Sequence, residues 1–220
     1  MKKAGSAAAA AMALATISTS AAAVDGQFFV DGGIGRSSYA LYTGQYDNDK
    51  TDWATSIRAG YLWHGFVDYG LELGYADLGQ EVNRYDYTHI TGSDYVRNST
   101  AVNGWLLGGR LEYAIGQSWY VMARGGWFRP RINQESGWWA LTSGYPWASV
   151  PASGYSHDQD SFNTGTQSYY GVGVGYIISP HWRVGLNYDY YDLGSLLSVP
   201  GYREPSSYVK TYSASVQYRF

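Results

Sequence analysis

Four ionisable residues carry the most chemistry in this 220-residue sequence: Arg58, Glu72, Arg110 and Arg124. Arg58 stands between Ile57 and Ala59, and Glu72 between Leu71 and Leu73. In both runs every second residue except Thr55 is apolar or aromatic, and the charge falls in the alternate, polar or small set. Period-two patterning of this kind places the charges on one face of a strand and the apolar groups on the other. Each of the four lies three to five residues from the short turn that ends its strand, which predicts a shared layer. Charges in a narrow interior need partners, and Glu112 and Asp68 are available to balance the excess of Arg. Two readings stay open: a polar core that fills a lumen, and a gate that passes ions.

Other letters that suggest chemistry do not hold up. His64, His89, His157 and His181 show no metal-ligand spacing, so no metal is expected. Ser156, His157 and Asp158 are consecutive, whereas nucleophile, base and orienting acid come from separate parts of a fold; no catalytic site is expected. In Gly171-Val172-Gly173-Val174-Gly175 the spacing is strictly two and no helix follows. That excludes a dinucleotide fingerprint and leaves no cofactor to expect, the glycines being positions that make room inside. Asn98-Ser99-Thr100 matches a glycosylation acceptor only at chance level.

The elements that must position the charges begin with the stretch Trp53–Leu78. Trp53, Ile57, Ala59, Tyr61 and Trp63, then Val67, Tyr69, Leu71, Leu73 and Tyr75, form one face of a hairpin turning at His64-Gly65-Phe66. Keeping both apolar sets on one side fixes a register in which Trp63 faces Val67, Tyr61 faces Tyr69, Ile57 faces Leu73 and Arg58 lies opposite Glu72. An apolar outside with an ion pair inside suits a barrel in lipid.

Six more strands follow from the same alternation: Gln27–Tyr39, Thr100–Tyr113, Trp119–Phe128, Thr164–Ile178, Trp182–Leu193 and Tyr208–Phe220. Polar loops are expected over Tyr39–Thr51, Gly79–Ser99 and Leu196–Ser207. The long segment Arg129–Asn163, with Pro130, Pro146 and Pro151, is too broken for a membrane strand. Short turns alternate with long loops, as in barrels whose turns face the periplasm. The fold class is therefore all-β, an eight-stranded antiparallel up-and-down transmembrane barrel.

Composition agrees. The sequence holds 23 Tyr, 9 Trp and 28 Gly and no Cys. Tyr and Trp favour membrane–water interfaces, and the missing cysteines exclude a thiolate metal site, a cysteine nucleophile and a lipoprotein anchor. Lys2 and Lys3, an Ala-rich run from Ala7 to Ile17 and the small residues Ala21-Ala22-Ala23 predict a signal peptide over 1–23, cleaved after Ala23. The barrel is then 24–220, and the formal charge moves from −3 to −5 with the loss of two lysines. Mild acidity argues against a nucleic-acid partner.

Gly70-Leu71-Glu72-Leu73-Gly74-Tyr75, Gly109-Arg110-Leu111-Glu112-Tyr113, Arg124-Gly125-Gly126, Gly175-Tyr176-Ile177-Ile178-Ser179-Pro180 and the terminal Tyr218-Arg219-Phe220 resemble the eight-stranded barrels of the OmpA transmembrane domain and the OmpX/Ail group. The resemblance covers the mature chain and rests on motif order and spacing. It implies that Glu72 and Arg110 match an acid and a base of the family's interior gating cluster. Gly175 and Gly185 depart from it, standing where that pattern has a further acid and a further Arg. No peptidoglycan-binding domain of the kind found in full-length OmpA proteins is expected after the barrel. Tyr218 and Phe220 resemble the C-terminal signal read by the barrel-assembly machinery.

The expected function is a non-enzymatic, monomeric outer-membrane barrel, in contact with lipid and lipopolysaccharide, that contributes to envelope integrity. Trp138, Trp139, Tyr145, Trp147 and Tyr155 are the candidate surface for an outside partner; the alternative is that these rings fold onto the rim or the lipopolysaccharide surface. A small passive channel is the second class and a lipid-modifying barrel enzyme the third.

Overall fold

The computed structural model describes residues 25–40, 48–49, 51–89, 92–142, 158–162, 165–194 and 207–220. These form ten strands and no helix: β1 (Gly26–Ala40), β2 (Asn48–Asp49), β3 (Thr51–Trp63), β4 (Asp68–His89), β5 (Gly92–Ile115), β6 (Trp119–Thr142), β7 (Asp158–Phe162), β8 (Gln167–Ile177), β9 (Trp182–Gly194) and β10 (Ser207–Arg219). Eight of them (β1, β3, β4, β5, β6, β8, β9 and β10) each pair antiparallel with the next in the chain. β10 also pairs with β1, so the ring closes without an edge. Closure matters because an unpaired backbone group costs several kcal/mol in hydrocarbon, on the order of a full desolvation penalty. The short β2 and β7 add to β4 and β6 outside the ring.

The faces follow the alternation. Leu71, Leu107 and Leu186 are 59%, 51% and 65% exposed, while Arg58, Glu72, Arg110 and Arg124 are buried. A water-soluble protein has the opposite arrangement; charge inside and aliphatic side chains outside require lipid as the solvent. Aromatic rings mark both ends of the apolar band. At the short-turn end Tyr61, Trp63 and Tyr69 pack in series, and Trp182 meets Tyr218. At the other end Tyr75 meets Trp105, and Tyr170 stacks on Tyr190. Trp53 and Trp63 bracket the band on β3. Ten residues at about 3.3 Å each, tilted by about 40°, span roughly 25 Å, the apolar height of such a barrel.

The hairpin register differs from the expected one. Trp63 faces Tyr69, Tyr61 faces Leu71, Ile57 faces Tyr75, and Arg58 lies opposite Gly74, with Glu72 opposite Gly60. Val67 belongs to the turn, where the Asp68 carboxylate lies 3.3 Å from His64 Nδ1 and 3.4 Å from the Gly65 amide. A two-residue shift keeps every side chain on its face, so alternation alone does not distinguish the two registers. Glycine at 74 is what the observed register needs, since a Cβ there would sit 2.7 Å from the stem of Arg58.

Strand ends also differ. The loop expected over Gly79–Ser99 is largely strand: β4 and β5 stay paired out to His89 and Gly92. A bulge between Asp77 and Gln80 marks where they leave the ring, with Gly79 at φ +77° and the Tyr39 hydroxyl donating to the Leu78 and Gly79 carbonyls. The segment expected to be a loop from Arg129 begins as strand through Thr142, with Pro130 paired to Gly104. Pairing of β6 with β8 ends at Phe128 and with β7 starts at Ile132. Pro130 falls in the gap, where a missing N–H costs least.

Candidate functional site in the barrel interior

The short-turn half of the interior is an ion-pair network. Arg124 grips Asp189 with Nε and Nη2 at 2.7 Å each, a bidentate geometry that is among the strongest available to side chains. Arg58 lies 3.5 Å from Asp189, 3.9 Å from Glu72 and 3.9 Å from Asp31, and donates to Ser56 Oγ and the Tyr191 hydroxyl. Arg110 donates to Glu112 at 2.7 Å and to Gln217, and approaches Glu72 at 3.8 Å and Asp31 at 4.0 Å. Glu112 in turn takes Arg183 at 3.0 Å and Arg219, whose other amine lies 3.3 Å from Asp68.

The four charges read from the sequence are thus brought into one network: Glu72 joins Arg58 to Arg110, and Asp189 joins Arg58 to Arg124. Glu112 and Asp68 belong to it as well. The sequence reading left out Asp31, Asp189, Arg183 and Arg219. With them, five arginines (58, 110, 124, 183, 219) face five carboxylates (31, 68, 72, 112, 189), and the network is neutral. Asp31, Asp189 and Arg219 each alternate with the outward apolar residues of their strands and are buried. The missing information was height, which pairing around the closed ring supplies.

Above the charges sits an apolar plug of Tyr39, Ala76, Leu78, Val102, Leu106, Phe128, Ile132, Tyr169, Tyr191, Leu193 and Val209. Tyr169 and Tyr191 form the seam. Their rings stack at 6.1 Å on the plug side; Tyr169 donates to Glu72 at 2.8 Å, and Tyr191 accepts from Arg58 at 3.0 Å. Where the gating pattern has a further acid and a further Arg, the Tyr120 ring fills the space beside Gly175 and Gly185.

The remaining candidates are placed as follows. Among the described residues no group of three or more His, Cys, Asp or Glu is arranged to hold a metal ion. Trp138 and Trp139 lie in β6 opposite Val96 and Tyr95, and their side chains lie outside the described residues. Tyr145, Trp147 and Tyr155 fall outside them altogether, as do Ser156 and His157. Phe220 packs edge-on against Tyr218 at 5.0 Å, and its amide donates to the Phe28 carbonyl, tying the last residue into the short-turn girdle.

A closed antiparallel ring with paired charges inside and an apolar, aromatic-bordered wall outside defines a membrane-spanning β-barrel. The chain belongs to the outer membrane protein beta-barrel domain family, whose sequence model matches residues 7–220, and its place is the bacterial outer membrane. Solved structures similar to it include Ail, the attachment invasion locus protein of Yersinia pestis, in complex with the heparin analogue sucrose octasulfate. The identity is 13% and the TM-score 0.50, over 89% of this chain and 99% of that one. Neisserial surface protein A is 12% identical at TM-score 0.46, covering 88% and 97%. OprG of Pseudomonas aeruginosa is 12% identical at TM-score 0.41, covering 89% and 96%. No curated protein matches the chain.

Proposed function

We propose that this protein is a non-enzymatic, monomeric barrel that contributes to envelope integrity and offers its long hairpins to a partner outside the cell. Residues 1–23 direct export and are cleaved, the barrel-assembly machinery reads Tyr218 and Phe220, and the short turns face the periplasm. The observation that carries the reading is the filled interior: Arg58, Arg110 and Arg219 are buried to 1%, 1% and 0% exposure in a neutral network beneath an apolar plug. An eight-stranded ring leaves room for little more than such side chains. The strands from β4 to β6 that outrun the ring support the binding part. So does the fold's capacity for surface ligands, seen in Ail with its sulfated sugar.

A small passive channel is the second reading. It is favoured by buried polar atoms without a hydrogen-bond partner, including Asp31 Oδ1, Glu72 Oε2, Arg110 Nη1 and Arg124 Nη1, which suit a hydrated path. Planar-bilayer recording separates the two, with no discrete conductance steps expected of the filled barrel. Cell adherence or aggregation assays with Trp138→Ala/Trp139→Ala test the partner surface. Binding equal to the wild type would move the function away from these hairpins. Unchanged lipid A mass spectra on deletion and overexpression are expected of a non-enzyme.

A further inference from the structure

Three observations meet on the outer wall around the β1–β10 pair. The first is a groove of about 660 Å³ whose lining includes Gly32, Ile34, Val184, Leu186, Ala214 and Val216. It lies on the lipid side. Gly32 has nothing within 4 Å of where a Cβ would stand, whereas the inner face at the same level is filled, a Cβ on Gly175 meeting Tyr120 at 2.4 Å. Glycine at 32 and alanine at 214 cut the dent; the larger neighbours make its walls.

The second is a pair of cations at the long-hairpin end of the groove. Arg36 continues the outward set Gly32, Ile34 on β1, and Lys210 continues Val216, Ala214, Tyr212 on β10. Arg36 pairs with Tyr212 and Lys210 with Ser38, so the two are diagonal neighbours with Cα atoms about 7–8 Å apart. Every arginine of the interior network has a carboxylate. Among the described residues these two outward cations have none within 4 Å and rest on rings instead, Arg36 4.5 Å over Trp53 and Lys210 5.0 Å over Tyr208. The third is a tyrosine row beside them: Tyr208 stacks on Tyr190 and Tyr190 on Tyr170, and Tyr188 meets Tyr212 at 5.1 Å. Their hydroxyl ends suit a polar headgroup layer.

From this geometry we infer that the β1–β10 wall is a binding site for a lipid carrying a phosphate monoester, one acyl chain in the groove and the phosphate between Arg36 and Lys210. The groove lies in the apolar band, where hydrocarbon is the occupant at hand, and its volume is that of a ligand site, on the order of 300–1,000 Å³. A phosphate monoester carries close to two negative charges at neutral pH, matching two cations, while a phosphodiester carries one. The inference adds a lipid partner to the proposed function, rests on its outer-membrane barrel reading and leaves that reading intact if it fails.

The test is native mass spectrometry of the barrel in nonionic micelles, titrated with monophosphoryl lipid A and, separately, with phosphatidylglycerol. The wild type is expected to hold one monophosphoryl lipid A at least tenfold more tightly than the phosphodiester. Arg36→Gln/Lys210→Gln should lose that preference, and Gly32→Leu/Ala214→Leu, which fills the groove, should weaken binding by a similar factor. Arg129→Gln/Arg131→Gln, also outward and exposed on β6, should bind as the wild type does. Heat-modifiable migration verifies folding of each form, and Arg36→Gln alone replaces the double variant if that fails to fold. Equal affinity for the two lipids overturns the inference. So does an unaffected Arg36/Lys210 variant, or an equal loss in the Arg129/Arg131 variant, which would mean diffuse charge rather than a site.

Discussion

The short-turn half of the barrel interior and the long-hairpin half are built from opposite chemistry inside one wall. Below, five arginines and five carboxylates are held by direct contact; above, Leu78, Val102, Leu106, Phe128, Ile132 and Leu193 are buried against one another with at most 1% exposure. The two halves tolerate damage differently. An apolar plug is non-directional, so a lost methyl group costs area and leaves a cavity. A buried ion network is directional and neutral as a whole, so losing one member strands another. Tyr169 and Tyr191 belong to both halves, rings in the plug and hydroxyls in the network. They let a polar layer meet an apolar one without leaving a phenol unpaired.

The largest effect should come from Asp189. Asp189→Ala leaves the bidentate partner Arg124 unpaired and removes one of three carboxylates facing Arg58, at a cost of about 3–5 kcal/mol. Arg124→Ala/Asp189→Ala should cost less than the single change, because no charge is then stranded. Urea unfolding in lipid vesicles measures both, and a double variant weaker than Asp189→Ala would mean that the pair is not the unit of stability described above.

Next comes the plug. Leu106→Ala should lose about 2–4 kcal/mol from transfer and cavity terms together, with no rescue by a second substitution among the charges. Its cost and that of Asp189→Ala should add within about 0.5 kcal/mol, as for sites without shared partners. Strong coupling in that cycle would show that the halves are one cooperative unit.

The seam should respond least. Tyr169→Phe keeps the ring and removes one hydrogen bond to Glu72, worth about 1.5 kcal/mol for a charged acceptor. In the Glu72→Gln background the same change should cost measurably less, since the acceptor is then neutral. Equal costs in the two backgrounds would place the Tyr169 hydroxyl outside the network.

Much of this molecule was legible because a strand wall between water-free lipid and a narrow lumen forces strict alternation. Trp53 to Trp63, Trp105 to Tyr113 and Tyr208 to Phe220 each declare two faces, and the observed faces are those. The Arg58–Glu72 contact survived a register error of two residues because such a slip changes the neighbour and not the face. Strand ends were less legible. Pro130 suggested a break, and only the paired context shows that it sits where one ladder has ended and the next has yet to begin.

What the sequence by itself determined is the parity of each side chain, since period two is a local property of an extended chain and needs no partner. From that came the strand count, the lipid-facing wall and the membership of Arg58, Glu72, Arg110 and Arg124 in the interior. What only the tertiary structure decided is height. Closing eight tilted strands into a ring fixes the stagger of each against the next, and that stagger carries Asp31 and Asp189 to the level of the arginines. It also lifts Phe128, Ile132 and Leu193 above them, so that residues far apart in the chain sort into a charged layer and an apolar one.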